Sequence, residues 1–552
     1  MQILRRYLSL LALEKKDIYQ LFFYALFSGL ISLSLPLGIQ AIVNFIQSGR
    51  LSASWILLVV MVVVGVAFMG YLAIMQLRIT ETLQQKIFIR SSMAFAYRLP
   101  RIQMEALRDT YPPQLANKFF DTLGIQKGTS KLLLDFSAAL LQIAFGLILL
   151  TLYHPLFILF GLILLGLLYF IFAFSFKKGL ETSIKESKNK YKVVAWLQEM
   201  ARNTFSFRRE DHLSFGVKKT DALVQDYLSY REKHFSVIKR QYAQLVLFKI
   251  IVTAGLLVLG GMLVINNQMN VGQFVASEIV ILMVINSVEK IILGLETFYD
   301  VLTSVDKMAQ VVDLPIEPEA EIRSEHSPEH YTLEAREAVL DFSGQQGKMI
   351  GPISVSLRPG ERVGLVGENG SGKSALLKML GGFLQPHQGS MLVYDHHLQQ
   401  VPLQEFRTVI GTVMSGDTPF EGSLWENLTF CQPEANAEAV KWAVELVGLA
   451  DYLKGLPLGY DTPILAEGRQ LPTSIAQKIV LARAIVHRPK WLFLESPLSQ
   501  LDRREAEQIV TRLAQSYTDG SWIVNTRSPL WTPHLTRTIT LEHGQIINDI
   551  TH

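Results

Sequence analysis

Hydrophobic positions fall into two regimes along this chain: before about residue 300 they form runs too long for a globular core, and after it they come in short bursts between polar stretches. Six early segments, 18–45, 55–77, 132–153, 156–176, 245–265 and 271–295, reach the roughly 20 apolar residues that a bilayer crossing requires. The loops between them alternate. Those at 49–54, 154–155 and 266–270 are short, with Arg50 their only basic residue, whereas 78–131 and 177–240 are long and rich in Lys and Arg. Basic loops stay on the cytoplasmic side, so the long segments and both termini are predicted there. Their helical patterning predicts spans that continue into the cytoplasm and reverse near Pro112-Pro113 and near Asn203-Thr204, where helix propensity weakens.

Two early features leave alternatives open. Ile3, Leu4, Tyr7, Leu8 and Leu11 recur at helical spacing beside Arg5, Arg6, Lys15 and Lys16, which suits either an interfacial helix or an extension of the first span. Glu278 interrupts an apolar span, where a carboxylate is costly; it either faces a central path or bonds to a neighbouring helix. Glu289, Lys290 and Glu296 lie further along the same helix and are expected to be solvated or paired. Past residue 312 the chain turns acidic, with Pro315, Pro318 and Pro328. The pattern therefore predicts a helical membrane domain over 1–312, a linker over 313–330 and a second domain over 331–552.

The second domain carries the chemistry. Val363, Gly364, Leu365 and Val366 read as a strand. Gly367, Glu368, Asn369, Gly370, Ser371, Gly372, Lys373 and Ser374 fit G-x-x-x-x-G-K-[ST], and a helical stretch follows from Ala375. Such a loop turns backbone N–H groups onto a polyphosphate at a helix start. Lys373 is placed to reach the outer phosphates and Ser374 to ligate Mg²⁺.

Composition agrees with a membrane half and a nucleotide-binding half: 49% of the 552 residues are hydrophobic and the mean hydropathy is +0.25. A net charge of +3 is too small to imply nucleic acid. The single cysteine, Cys431, excludes an intramolecular disulfide and fits a reducing compartment. No cleavable signal peptide is expected, because the first apolar stretch follows Glu14-Lys15-Lys16-Asp17 and outruns signal-peptide length.

Six spans, two deep cytoplasmic hairpins and a C-terminal P-loop domain together resemble one half of an ABC exporter. The resemblance implies a membrane all-α six-helix transmembrane domain plus an α/β P-loop NTPase domain. It also implies coupling segments at the hairpin tips, around 111–117 and 198–203. The expected cofactors are ATP and Mg²⁺, the metal resting on Ser374 and Glu495. Phe342 stands where the family stacks an aromatic ring on adenine, although it also reads as a core residue of the flanking sheet.

Four further positions depart from the family pattern. Ser415 replaces the glutamine of the Q-loop and is too short for its reach. Leu471, Pro472, Thr473, Ser474 and Ile475 stand where L-S-G-G-Q belongs, with proline lacking both an N–H and a hydroxyl. The apolar strand that ends in Asp-Glu in the family ends here in Glu495-Ser496. Glu495 keeps a carboxylate at the metal position, whereas Ser496 takes the place of the general base. Arg527 occupies the switch-histidine position and can bind phosphate but not shuttle a proton. Ser499-Gln500-Leu501-Asp502 keeps most of the S-A-L-D loop.

The resemblance thus implies an ATP-binding exporter subunit of the bacterial inner membrane, similar in layout to toxin, peptide or protein secretion exporters. Its own site is expected to hydrolyse ATP weakly or not at all. Its implied partners are a second half-transporter, as homodimer or heterodimer, and a periplasmic adaptor. No peptidase domain is expected before the first span. The alternative is a catalytically quiet, ATP-responsive membrane scaffold or regulatory subunit.

Overall fold

The computed structural model describes residues 2–47, 53–108, 110–318, 332–342, 348–393, 396–432, 435–518, 520–525 and 527–552. Most of the predicted linker, together with Arg50 and Thr526, lies outside them. Contacts divide the chain into one unit of Met1–Arg101 and Asp109–Leu314, and another of Ile102–Arg108 and Pro315–His552.

The first unit is helical. Its elements are α1 (Gln2–Ala12), α2 (Lys15–Ser32), α3 (Ser34–Gln47), α4 (Ala53–Arg98), α5 (Pro112–Asn117), α6 (Asp121–Tyr153), α7 (Leu156–Arg202), α8 (Glu210–Ile265) and α9 (Val271–Val312). The long Lys- and Arg-rich segments are largely helical continuations of the apolar stretches, as their patterning predicts. Of the two readings of the N-terminus, the helix is separate: α1 stops at Ala12, and Tyr7 is buried edge-on to Phe298 at 6.1 Å between ring centroids. A turn at Leu13-Glu14 follows, with Glu14 held by Arg90 at 2.7 Å.

Each predicted span lies within these helices, but the first is broken. Leu33 separates α2 from α3, and Pro36 sits in the first turn of α3, where its missing N–H costs little. The two proline-marked and asparagine-marked reversals also differ. Pro112-Pro113 does not interrupt a helix but starts α5, whereas Asn203 caps the end of α7 before a 3₁₀ turn at Ser206–Arg208. The 198–203 coupling segment is therefore the last turn of α7 rather than a short helix of its own.

Five described stretches are long and apolar enough to cross a membrane: Lys15–Gln47, Ala53–Arg101, Pro112–Tyr153, Leu156–Arg202 and Glu210–Ile265. The sixth predicted crossing, α9, is not in that set. It is the interior helix of the bundle, with Val280, Val284, Val288, Ile291 and Leu295 all buried. Most of its apolar side chains face other helices, with Leu282 and Leu293 exposed. Close approach to α6 requires glycine: a Cβ at Gly128 would lie 2.3 Å from Val301 Cγ2. A capping box between Asn270 and Gln273 starts α9. Glu289 is paired with Lys249 of α8 at 2.7 Å, and Glu296 approaches Arg231 at 3.9 Å, so both are paired as expected.

The second unit is α/β. Strands β1 (Leu333–Phe342), β2 (Lys348–Leu357), β4 (Gln388–Val393) and β5 (His396–His397) form an antiparallel sheet in the order β2-β1-β4-β5. A six-stranded sheet runs β12-β11-β3-β10-β9-β6, comprising β3 (Arg362–Val366), β6 (Ile410–Val413), β9 (Trp491–Glu495), β10 (Ser521–Asn525), β11 (Arg537–Glu542) and β12 (Gln545–Thr551). Its strands pair in parallel except at the β11–β12 edge. Parallel strands are covered on both faces, and Trp491, Leu492, Phe493 and Leu494 are all fully buried. A minor pair, β7 (Gly422–Ser423) and β8 (Pro463–Ile464), lies apart. The helices here are α10 (Lys373–Leu380), α11 (Leu403–Thr408), α12 (Leu424–Thr429), α13 (Ala437–Leu446), α14 (Ala450–Lys454), α15 (Thr473–Ile485) and α16 (Arg503–Ser516).

Candidate functional site

The loop between β3 and α10 forms because glycine permits it. Gly367, Gly370 and Gly372 all have positive φ, at 146°, 79° and 103°. At Gly367 a Cβ would lie 2.1 Å from the Leu541 carbonyl oxygen, so no other residue fits. Parallel pairing of β3 with β10, and of β10 with β9, then brings three distant strand ends to the start of α10.

Those ends meet around Ser374. Its hydroxyl bonds to Glu495 Oε1, and Asn525 Nδ2 donates to the same hydroxyl at 3.3 Å. The second carboxylate oxygen of Glu495 accepts from the Ser415 N–H at 3.0 Å. Ser415 thus takes part through its backbone, and its side chain is not needed for the contact. Lys373 is folded back onto the loop, donating to the carbonyls of Gly367 at 2.8 Å and Glu368 at 2.6 Å and to Ser371 Oγ at 3.2 Å. Burial pushes its ammonium below the ordinary lysine value, and the nearby Arg527 charge adds to that. Arg527 itself bonds to Asn369 Oδ1.

These groups share a cleft of about 1110 Å³ lined by Phe342, Asn369, Gly370, Gly372, Lys373, Ser374, Glu495, Ser496 and Arg527, among others. Gly367 and Glu368 line an adjoining recess with Asn369 and Arg527. A buried cation with a depressed pKa, beside a hydroxyl and a carboxylate on a loop that only glycine can form, fits a phosphate group with a divalent cation. Ser496 follows β9 with φ at 48°, its N–H donating to the Asn525 carbonyl at 2.9 Å. It presents a hydroxyl to the cleft, with no carboxylate on its side chain.

Leu471, Pro472, Thr473, Ser474 and Ile475 do not line this cleft. Pro472 is the N-cap of α15, where its side chain offers no acceptor to the N–H groups of the first turn. Two groups went unassigned in the sequence. Asn525 ends the buried strand β10 with an amide, a polar end to an apolar run that was available as a signal. Gln477, on α15, donates to the Ser496 carbonyl and to Ser499 Oγ, both at 3.2 Å, and accepts from the Gln500 N–H at 2.9 Å. It ties the helix behind the signature-like segment to the loop after β9, and nothing in local sequence announces that.

Residues 18–288 match the ABC transporter transmembrane region, and residues 350–499 match the ABC transporter family. The chain belongs to the ABC transporters. The leukotoxin translocation ATP-binding protein of Mannheimia haemolytica is 29% identical over 325 residues, which cover 59% of this chain and 45% of that protein. The protein of the same description from Mannheimia glucosida is 28% identical over 340 residues. This ABC transporter chain thus matches about half the length of those curated relatives. A bacterial Atm1-family ABC exporter with ATP bound shares the fold, with a TM-score of 0.85 at 17% identity, over 98% of this chain and 96% of that one. The architecture is that of a half-transporter, with one transmembrane domain and one nucleotide-binding domain.

Proposed function

We propose that the chain is one half of an ATP-binding exporter of a bacterial inner membrane, with its nucleotide domain and both termini cytoplasmic. The observation that carries this is the convergence of Lys373, Ser374, Glu495 and Asn525 in one cleft of a chain whose other unit is a bundle of apolar helices. ATP with Mg²⁺ would supply the binding energy that drives an inward-to-outward change. Lys373 and the loop N–H groups would hold the phosphates, Ser374 and Glu495 the metal, and Phe342 the base. Kinship with leukotoxin translocation proteins supports a toxin cargo; a periplasmic adaptor is part of the same proposal.

Hydrolysis by this site is slow in our reading. A serine hydroxyl at its ordinary pKa is no base near neutral pH, and loss of a general base typically forfeits about 100- to 10,000-fold in rate. Binding survives, because the groups that grip phosphate are all in place. The position of 471–475 outside the chain's own cleft supports a second half-transporter, identical or different, against which this segment packs. Nucleotide affinity and turnover of the purified protein test the reading. Expected are ATP binding lost in Lys373→Ala and turnover near background; brisk turnover that Lys373→Ala abolishes and Ser496→Ala leaves intact refutes the assignment.

A second reading, a quiet ATP-responsive scaffold or regulatory subunit, is favoured by Pro472 and Ser496 together. ATP-dependent movement of cargo in sealed vesicles separates the two. Closure of paired nucleotide domains without any transport supports the scaffold.

A further inference from the structure

A short stretch between α4 and α5 belongs to the nucleotide-binding unit. Ile102–Arg108 packs there, although in sequence it lies inside the matched transmembrane region. Ile102 forms an antiparallel bridge with Ile316, the Gln103 N–H donates to the Pro315 carbonyl at 3.0 Å, and Glu105 Oε1 accepts from the Gln385 N–H at 3.1 Å. Glu317, next to the bridge, is gripped by both terminal nitrogens of Arg407 at 2.7 Å.

At the end of this stretch Arg108 reaches the predicted base platform. Its Nη1 donates to the Asp341 carbonyl at 2.9 Å, and its guanidinium carbon lies 4.5 Å from the centre of the Phe342 ring. The Nε and Nη2 atoms are buried and make no hydrogen bond among the described residues. The same ring lines the cleft that holds Lys373 and Ser374. One aromatic side chain therefore meets both Arg108 and the cleft.

We propose that Arg108 is a positioning residue for the nucleobase: it holds the Phe342 ring in place, so that recognition of the base in the cleft depends on a segment supplied by the transmembrane half of the sequence. The inference rests on the reading of the cleft as a nucleotide site. A guanidinium over a ring fixes the ring's orientation and draws on its π density, and interactions of this kind correspond to about a 2- to 30-fold change in a binding constant. By linkage, a base on Phe342 stabilises the docked 102–108 stretch as much as that stretch favours the base.

The test uses the full chain in detergent and compares ATP with inorganic tripolyphosphate, which has the phosphates but no base. Arg108→Ala is expected to weaken ATP about 2- to 30-fold and leave tripolyphosphate unchanged. Arg108→Gln can keep the bond to the Asp341 carbonyl but has no charge, and is expected to show the same selective loss should the alanine variant fold poorly. In a Phe342→Ala background neither substitution should have further effect. Unchanged or tighter ATP binding, or equal weakening of both ligands, overturns the proposal while leaving the nucleotide reading intact. A wild-type chain that binds neither ligand overturns both.

Discussion

Gly367 carries more constraint than any other position in the candidate site. Its φ of 146° is open to glycine alone, and its missing side chain leaves room for the Leu541 carbonyl. Gly367→Ala is expected to weaken ATP binding at least tenfold and to lower the stability of the nucleotide unit by about 1–3 kcal/mol from the backbone alone; equilibrium binding and thermal unfolding check both. The loop was readable in the sequence because its residues are contiguous and each has its own conformational or chemical reason. The partner of Asn525 was not, since its bond to Ser374 joins positions 151 apart that only strand pairing brings together. The Ser415 N–H bond to Glu495 was hidden for a related reason: a backbone donor leaves no mark in the side-chain sequence.

Helices show a different balance between local and long-range causes. Span positions follow from hydrophobic length, which is a local quantity, and five of six stand out again by length and composition. The break at Leu33, the start of α5 at Pro112 and the burial of α9 depend on neighbours, and the hydrophobic pattern alone is silent on them. Pairing is equally hidden. Lys249, in the apolar stretch 245–265, and Glu289 lie on different helices and meet at 2.7 Å. Removing one charge there strands the other, so Lys249→Met is expected to destabilise the bundle by up to about 3 kcal/mol. The double variant Lys249→Met with Glu289→Gln is expected to fall within about 1 kcal/mol of wild type. Unfolding in detergent of wild type, both single variants and the double variant measures the coupling; a double-variant loss equal to the sum of the two single losses would show that the pair contributes nothing.

Across the assembled transporter, each nucleotide would lie between the cleft of one chain and the signature-like segment of another. Both kinds of departure, Ser496 at the cleft and Pro472 at the segment, sit on this one chain, so on the proposed reading self-pairing would make two identical impaired sites. Restoring one is then not enough. Ser496→Glu alone is expected to raise turnover less than about tenfold, and the combination with Pro472→Ser, Thr473→Gly and Ser474→Gly about 100-fold or more, the range that a general base supplies once nucleotide and base are aligned. A steady-state phosphate-release assay reads both; full activity from Ser496→Glu alone would show that the 471–475 segment has no part in turnover.

What the linear chain determined by itself had a local physical cause: which stretches suit lipid, and which loop must be glycine-rich to turn its N–H groups inward. Tertiary structure decided the matters that rest on proximity between distant positions. It chose Asn525 and the Ser415 N–H as neighbours of Ser374 and Glu495, put α9 inside the bundle, and drew the 102–108 stretch onto the nucleotide unit beside Phe342. Hydrophobicity and backbone preference belong to single residues and short windows, whereas hydrogen bonds, ion pairs and ring contacts require two groups to be carried to the same place by the fold.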